Sequence, residues 1–277
     1  MLWTLLFLLN LPARAAQTRL PFQKIMIVVF ENTDYEHALA RPFFGKLAKE
    51  GALLTGYYAV SHPSQPNYIA MVAGDTLGVD SDGNIDLDDV NLADRLDAKK
   101  KTWKIYADDY PGGCFLKSRS GKYARKHVPL LSFKDVTGDP ARCANIVNSS
   151  QLAADVKAGA LPDFSMYIPN LNHDGHDTGP EFADKWYAQT FGPLIADPEF
   201  MRGLLIVTTF DEDEDAGGDN RVYTSLYGAG VLRGAVSALK YDHYSLVRLV
   251  EDAFGLSTLG RNDAAASPVE DVWQTAR

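Results

Sequence analysis

The sequence predicts an α/β fold, a three-layer α/β/α sandwich built around a mostly parallel central sheet. The first observation is a series of short apolar runs, typical of strands that are buried on both faces of a sheet. The second is that helix-like segments lie between these runs, in the order strand, helix, strand, helix. That alternation is typical of a parallel sheet with helices packed on both faces.

The apolar runs and the segments between them give specific element predictions. Strands are predicted at residues 24–30 (KIMIVVF), 102–107 (TWKIYA), 163–169 (DFSMYIP) and 204–210 (LLIVTTF), with a shorter β-like stretch GYYAV before residue 62. Helices are predicted at residues 42–50, 91–100, 151–158, 181–196 and 243–254. Irregular structure is predicted at residues 74–89 and 108–140. Ligands of such folds bind at the carboxyl ends of the strands, so the residues that follow each strand are the functional candidates.

The composition and net charge limit which classes of protein and of partner fit this chain. The chain has 277 residues, of which 46% are hydrophobic and 23% charged, as expected for a folded protein. Neither a repeat nor a linker is evident, so residues 16–277 are predicted to form a single domain. The net charge of −9 disfavours nucleic acid and anionic membranes as partners. An anionic substrate must therefore be captured by a local site.

The N-terminus has the pattern of an export signal. Residues 2–11 are an apolar run too short to span a bilayer, and Ala13, Arg14 and Ala15 follow it. This pattern predicts a signal peptide over residues 1–15 and a secreted or periplasmic protein, although no Lys or Arg precedes the run. No later run approaches the ~20 apolar residues of a membrane helix, so stable membrane insertion is not expected. Cys114 and Cys143 could form a disulfide in such a compartment, and the sequence leaves their pairing open.

Two acidic pairs follow two of the predicted strands. Glu31 and Asn32 come directly after the first strand, and Asp211 and Glu212 follow the strand at residues 204–210. Three carboxylates and an amide oxygen are hard ligands, which suit Mg²⁺, Ca²⁺ or Mn²⁺ better than Zn²⁺. The pattern favours a divalent metal site at this edge of the sheet, the alternative being that acidic residues simply end the strands in solvated loops. The acidic run at residues 80–89 lacks the Gly and Glu positions of a calcium-binding EF-hand, so we expect a flexible loop there.

Ser64 lies just before a run of helical character, in the segment HPSQPNYIAMVAG. A serine there has its oxygen near the positive end of the helix dipole and can attack phosphorus. The same pattern is also typical of an ordinary helix N-cap with a proline in the first turn. Asn67, three residues on, is a candidate donor to a phosphoryl oxygen.

Histidines and a basic segment complete the candidates. His173 and His176 share one post-strand loop, NLNHDGHDTGP, and His243 begins the last predicted helix. Imidazoles there could bind phosphate oxygens or protonate a leaving alkoxide. The basic segment KSRSGKYARKH is either a solvated loop or brings Lys126 or His127 to a phosphate.

Taken together, these motifs resemble the phosphoesterase family of secreted acid phosphatases and bacterial phospholipases C, within the alkaline phosphatase-like superfamily. The matching strings are FENTDYEHAL, HPSQPNYIAMVAGD, YARKH, NLNHDGHDT, TFDE, HYSLVRLVEDAFGL and LGR. They extend from residue 30 to residue 261, and the secreted acid phosphatases are the most similar group.

The resemblance implies roles for individual residues. It implies that Glu31, Asn32, Asp211 and Glu212 bind the metal ion, with Ser64 as the nucleophile that also touches it. The string S-Q-P-N is similar to the nucleophile motif of nucleotide pyrophosphatase/phosphodiesterases, which implies that Asn67 binds phosphate.

A departure from those relatives concerns the post-strand loop. Asn172 stands where they carry an anionic metal ligand, so a second metal at His176 and His243 is not expected. His173, His176 and His243 are then expected to act on the phosphate or the leaving group, with His176 or His243 as the proton donor. The role of His62 stays open.

The predicted function is a metal-dependent phosphomonoesterase of acid phosphatase type that forms a Ser64 phosphoenzyme from a small phosphate ester. A phospholipase C-type phosphodiesterase is the alternative. A calcium-binding or adhesion module, in which the acidic pairs are structural, is a further one. A sulfatase is disfavoured, because S-Q-P-N lacks the arginine of the sulfatase motif.

Overall fold

A computed structural model describes residues 20–214 and 217–274, so the predicted signal peptide lies outside the described residues. The strands are β1 Lys24–Phe30, β2 Ala52–Leu54, β3 Tyr57–Tyr58, β4 Trp103–Ala107, β5 Arg119–Ser120, β6 Tyr123–Ala124, β7 Ile146–Asn148, β8 Phe164–Ile168, β9 Leu204–Phe210, β10 Thr224–Gly228, β11 Ala235–Ser237 and β12 Tyr241–Asp242.

Helices occupy most of the connections between these strands. They are α1 Tyr35–Leu39, α2 Pro42–Glu50, α3 Ser64–Ala73, α4 Leu92–Ala98, α5 Lys134–Thr137, α6 Pro140–Cys143, α7 Gln151–Lys157, α8 Pro180–Ile195, α9 His243–Phe254 and α10 Asn262–Ala265. Two short 3₁₀ helices lie at Arg125–His127 and Pro129–Ser132.

One eight-stranded sheet forms the centre of the molecule. Its order is β11-β2-β10-β9-β1-β8-β4-β7, and among the described strands of this sheet β10 alone runs antiparallel to its neighbours. The strands β1 and β9 pair in parallel, with Phe30 opposite Phe210. The predicted fold class, a mostly parallel α/β sandwich, is confirmed. The residues that follow β1 and β9 therefore leave the sheet side by side.

Helices cover the sheet in two groups. On one side α2 packs against β10, β2 and α8, and it buries Phe43, Phe44 and Leu47. In the other group α3 packs against α9, which in turn contacts α10. The helix α9 begins with the side chain of Asp242 accepting from the Ser245 N–H, which caps a free backbone donor. The helix α3, which starts at Ser64, is thus fixed over the sheet by a second buried helix.

The predicted strands and helices match the structure to within a few residues, whereas several short elements were not predicted. The predicted segments 24–30, 204–210, 42–50 and 243–254 coincide with β1, β9, α2 and α9. The stretch GYYAV supplies only the two-residue β3. The region predicted to be irregular, residues 108–140, contains the β5–β6 hairpin and several short helices. These pieces form through contacts with distant segments, which no local periodicity reveals.

Two further sequence questions are answered by the described residues. Cys114 and Cys143 form a disulfide across a separation of 29 residues. Within residues 20–214 and 217–274, none of the helices combines the length and apolar character that crossing a bilayer requires.

Candidate active site

The two acidic pairs meet at the carboxyl edge of the sheet because β1 and β9 are adjacent and in register. Glu31 and Asp211 are both 0% exposed. The Asn32 backbone N–H donates to Asp211 Oδ1 at 3.2 Å, and Asn32 Nδ2 donates to Glu212 Oε1 at 3.0 Å. Asn32 has a positive φ of 23°, a region that asparagine enters more readily than most residues. This turn brings its amide to Glu212, so the four residues form one cluster.

Ser64 is the first residue of α3 and points into this cluster. Its Oγ lies 3.2 Å from Glu31 Oε2 and 3.0 Å from Glu212 Oε1, and the residue is 2% exposed. The N-terminal turn of a helix presents free N–H groups and a partial positive charge, both of which favour an anion. The hydroxyl is therefore held between two carboxylates at a point suited to a phosphoryl group.

The cluster has the properties of a divalent cation site. Asn32 Oδ1 and Asp211 Oδ2 are buried and have no hydrogen-bond partner among the described residues. Burial and the neighbouring Glu31 and Glu212 raise the pKa of Asp211 well above its ordinary value. Burial likewise raises the pKa of Glu31. A cation would supply the missing partner for these oxygens and offset the repulsion between the carboxylates, so the residues present fit a metal ion.

A second potential ligand set shares Glu31. Ligand atoms of Glu31, His127 and Asp174, all buried, lie within 4.8 Å of one another. His127 Nε2 is 3.3 Å from Glu31 Oε1, and Asp174 Oδ2 has no hydrogen-bond partner among the described residues. Burial lowers the pKa of His127 well below its ordinary value, which leaves a neutral imidazole that can bind a metal. His127, which was expected at the phosphate, contacts Glu31 of the acidic cluster.

Asp174 and Tyr68 are site residues that sequence reasoning did not identify. Asp174 stands between His173 and His176 in the post-strand loop, and this clustering is the signal that could have found it. The Tyr68 hydroxyl donates to Glu31 Oε1 at 2.5 Å, and its ring stacks on His127 at 4.9 Å. Tyr68 is one turn after Ser64 in an apolar run, so nothing in the sequence separates it from a core tyrosine.

Asn67 bonds to the backbone of the loop before Ser64. Its Oδ1 accepts from the N–H groups of Val60 and Ser61 at 3.0 and 3.1 Å. Its Nδ2 donates to the carbonyls of Ser61 and Pro63 at 2.8 and 3.3 Å. The side chain is fully buried. In this geometry Asn67 shapes the loop that leads into Ser64, whereas the sequence indicated a contact to phosphate.

His243 is also fully buried and engaged at both ring nitrogens. Its Nε2 lies 2.7 Å from the backbone carbonyl of Asp211, and its Nδ1 lies 2.9 Å from the Tyr57 hydroxyl. Burial lowers the pKa of His243 to about 4. Such an imidazole supports the backbone that carries Asp211, and its role as proton donor to the leaving group stays a prediction.

The two histidines of the post-strand loop occupy different surroundings. His173 Nδ1 lies 2.8 Å from Asp108 Oδ2, and its ring stacks on Trp186 at 4.9 Å, apart from the acidic cluster. His176 is exposed and its Nδ1 lies 2.8 Å from Asp177 Oδ1. Gly175, between Asp174 and His176, has a φ of +104° that strongly favours glycine. This turn separates a buried carboxylate from an exposed imidazole.

Two cavities share His176 as a lining residue, and one of them is also lined by a member of the acidic cluster. Asn32 lines the cavity of about 330 Å³, and Lys126 lines the other, of about 340 Å³. Lys126 Nζ lies 2.6 Å from Asp82 Oδ2. Burial lowers the pKa of Lys126, but the charges of Glu31 and Asp82 outweigh this effect and raise it. Lys126 is thus a firmly charged group beside the cluster.

His62 completes the surroundings of the nucleophile. Its Nδ1 lies 2.6 Å from Glu212 Oε2, and its Nε2 lies 3.5 Å from Asp213 Oδ1. Burial raises the pKa of Glu212, while the bonds from Ser64 and His62 counteract that rise. His62 therefore orients one carboxylate of the cluster, a role that the sequence left open.

Comparison with known proteins identifies relatives over most of the chain. A probable acid phosphatase of Kluyveromyces lactis is 37% identical over 263 residues, which are 91% of this chain and 62% of that protein. A phosphate-repressible acid phosphatase of Penicillium chrysogenum is also 37% identical, over 91% of this chain and 64% of that protein. The chain thus spans a little under two thirds of these relatives. A phosphatidylinositol-3-phosphatase of Mycobacterium tuberculosis is 32% identical over 93% of this chain and 85% of its own length.

Solved structures share the fold at much lower identity. An alkaline phosphatase superfamily protein from Vibrio parahaemolyticus superposes with a TM-score of 0.62 at 11% identity, over 92% of this chain and 72% of that one. Murine ectonucleotide pyrophosphatase/phosphodiesterase 5 superposes with a TM-score of 0.59 at 9% identity, over 87% of this chain and 97% of that one. The model of the Phosphoesterase family matches residues 35–257. With this match and relatives that are named as phosphoric ester hydrolases, the chain belongs to the Phosphoesterase family.

Proposed function

We propose that this protein is a metal-dependent phosphomonoesterase of acid phosphatase type, which hydrolyses small phosphate esters through a phosphoserine at Ser64. The observation that carries the proposal is the Ser64 hydroxyl, held between Glu31 and Glu212 at the N-terminus of α3. The names of the curated relatives support the same reaction class.

Different side chains of this protein have different proposed roles in the reaction. Ser64 Oγ attacks phosphorus as its proton passes to Glu212 Oε1, to which it donates at 3.0 Å. The helix N-terminus favours the negative charge that develops on the phosphoryl oxygens. Lys126 offers a positive charge beside the cluster. The exposed His176 is our candidate for donating a proton to the leaving oxygen, because it lines the same cavity as Asn32 of the acidic cluster. Water then attacks the phosphoserine and loses a proton to His176, while the bond from phosphorus to Ser64 Oγ breaks and Ser64 regains its proton from Glu212, which releases phosphate.

The proposed metal site consists of the acidic cluster and Ser64. Glu31, Asn32, Ser64, Asp211 and Glu212 would hold one divalent ion, with Mg²⁺, Ca²⁺ or Mn²⁺ suited to this oxygen-rich set better than Zn²⁺. Such an ion lowers the pKa of a bound hydroxyl and neutralises charge on the phosphoryl group. His243 and Asn67 are positioning residues in this proposal, since they hold the Asp211 backbone and the loop before Ser64.

We also propose that the protein acts outside the cytoplasm. The disulfide between Cys114 and Cys143 supports an oxidising compartment. The sequence pattern of residues 1–15 supports export.

The test is phosphate release from p-nitrophenyl phosphate between pH 4 and 9, with added divalent ions and with EDTA. We expect Ser64→Ala to reduce kcat by at least about a thousandfold, and acid-quenched wild type to carry one phosphoryl group on Ser64 by mass spectrometry. Ser61→Ala is the matched control, because its hydroxyl lies in the same loop and donates to the His62 carbonyl.

Two results would contradict the proposal. One is a folded Ser64→Ala variant with wild-type activity. The other is a folded, metal-supplied wild type that releases no phosphate from any monoester. Diacylglycerol release from phosphatidylcholine in that second case would favour the phosphodiesterase alternative.

A further inference from the structure

The cavity that Lys126 and His176 both line carries an arginine that the proposed reaction does not use. This cavity, called here the Arg119 cavity, has a volume of about 340 Å³. Its wall includes Asp82, Gly83, Asn84, Arg119, Lys126 and His176. The volume is at the lower end of the range for small-molecule sites, so it suits the leaving group of a small ester.

The Arg119 cavity is joined directly to the nucleophile helix. The backbone N–H of Gln65, the residue after Ser64, donates to Asp82 Oδ1 at 3.1 Å. The backbone N–H of Gly83 donates to Gln65 Oε1 at 2.6 Å. One wall of the cavity is therefore held against the first turn of α3. The acidic loop at residues 80–89, which we expected to be flexible, is fixed here by these bonds.

The opposite wall is the β5–β6 hairpin, which is also held firmly. Arg119 pairs with Ala124 across this hairpin, and both residues line the cavity. The buried Arg125, next along the chain, donates to the carbonyls of Leu116, Ile85 and Leu131 at 2.7–3.1 Å. This network fixes the hairpin to the core, so Arg119 is presented to the cavity from a well-supported element.

Arg119 is exposed, and its charge has no protein counter-ion among the described residues. Lys126 pairs with Asp82 at 2.6 Å, and Lys122 pairs with Asp177 at 2.7 Å. Arg119 has neither an ion pair nor a side-chain hydrogen bond among the residues that the structure describes, in a chain of net charge −9. A guanidinium without a partner at a cavity wall is well suited to a carboxylate or phosphate, which it can bind through two parallel hydrogen bonds.

We infer that the Arg119 cavity receives the leaving group of the substrate, and that Arg119 is a specificity residue that binds a second anionic group on it. The inference rests on the proposed phosphomonoesterase function. The favoured substrates are then small phosphate monoesters that carry a carboxylate or a second phosphate near the scissile bond.

Two nearly isosteric substrates test this inference. Glycerol 2-phosphate and 2-phosphoglycerate differ by the replacement of one hydroxymethyl group with a carboxylate. We expect the wild type to have the higher kcat/KM for 2-phosphoglycerate. Arg119→Gln should reduce the ratio of the two kcat/KM values about tenfold to a hundredfold, mainly through KM for 2-phosphoglycerate. Arg119→Lys should reduce the ratio less, because it keeps the charge and loses the paired donors.

The control is Arg233→Gln, which removes an exposed arginine that lies just before the edge strand β11. It should leave the ratio unchanged. Equal ratios in wild type and a folded Arg119→Gln variant, with phosphate released from both substrates, would overturn the inference and leave the proposed function standing. A wild type that releases phosphate from neither substrate nor from p-nitrophenyl phosphate would overturn both.

Discussion

Replacing Asn67 with alanine tests whether this residue holds the loop before Ser64 in place or contacts the substrate. Asn67 makes four hydrogen bonds, all to the backbone of the loop before Ser64. Alanine removes all four and leaves two N–H groups and two carbonyls of that loop without their partner.

The expected loss of stability follows from the number of hydrogen bonds that the substitution removes. A buried polar group left without a partner costs about 1–3 kcal/mol. Because the loop can relax and water can replace some partners, we expect a total loss of about 3 kcal/mol. At about 2–4 °C per kcal/mol for a chain of this size, Tm should fall by about 6–12 °C. A displacement of Ser64 by about 1 Å should also reduce kcat about a hundredfold.

The assay combines thermal unfolding with kcat and KM for p-nitrophenyl phosphate. Asn148→Ala is the matched control. Asn148 also joins backbone groups, donating to the Tyr110 carbonyl at 3.0 Å and accepting from the Ser150 N–H at 3.1 Å. Asn148 belongs to the edge strand β7. Asn148→Ala should therefore lower Tm by less than Asn67→Ala does, and it should leave kcat unchanged.

A wild-type Tm combined with a raised KM in Asn67→Ala would refute this reasoning. That result would mean that the Asn67 amide binds substrate and that the loop holds its shape without it.

Two further predictions concern buried carboxylates. A divalent ion at one hundred times its Kd should stabilise the protein by about 2.7 kcal/mol. EDTA should therefore lower Tm, and Asp211→Asn should remove most of this response to EDTA. Equal Tm values with EDTA and with added Mg²⁺, Mn²⁺ or Ca²⁺ would argue against the metal. Burial, together with Asp263, raises the pKa of Glu251 from 4.5 to about 8. The folded state therefore binds this proton more tightly than the unfolded state, and the free energy of unfolding should decrease as pH rises between those two values. Glu251→Gln, a neutral mimic, should flatten the dependence of Tm on pH over that range; parallel curves for wild type and variant would contradict this.

The sequence predicted those parts of the molecule that depend on local pattern. β1 and β9 are continuous apolar runs because both faces of a central parallel strand are buried. Their ends could be located, and the residues after them identified as site candidates. The helices α2 and α9 were predicted for a similar reason, since their apolar periodicity marks the face that packs on the core.

Short elements could not be predicted in this way. The strands β7 and β11 have three residues each, and they exist because a neighbouring strand supplies their hydrogen bonds. The antiparallel strand β10 lies between β9 and β2 for the same reason. Strand pairing of this kind depends on residues far away in the chain.

Within the site, the sequence by itself determined which chemistry is present, and the tertiary structure decided which groups share it. The residue types, and their positions after a predicted strand or before a predicted helix, were sufficient to identify Glu31, Asp211 and Ser64 as candidates. Whether a polar side chain faces a substrate or the backbone depends on burial and on the partners that surround it. The fold gives the buried Asn67 and His243 backbone partners and brings Asp174 close to Glu31, because a polar group removed from water must find partners within the protein.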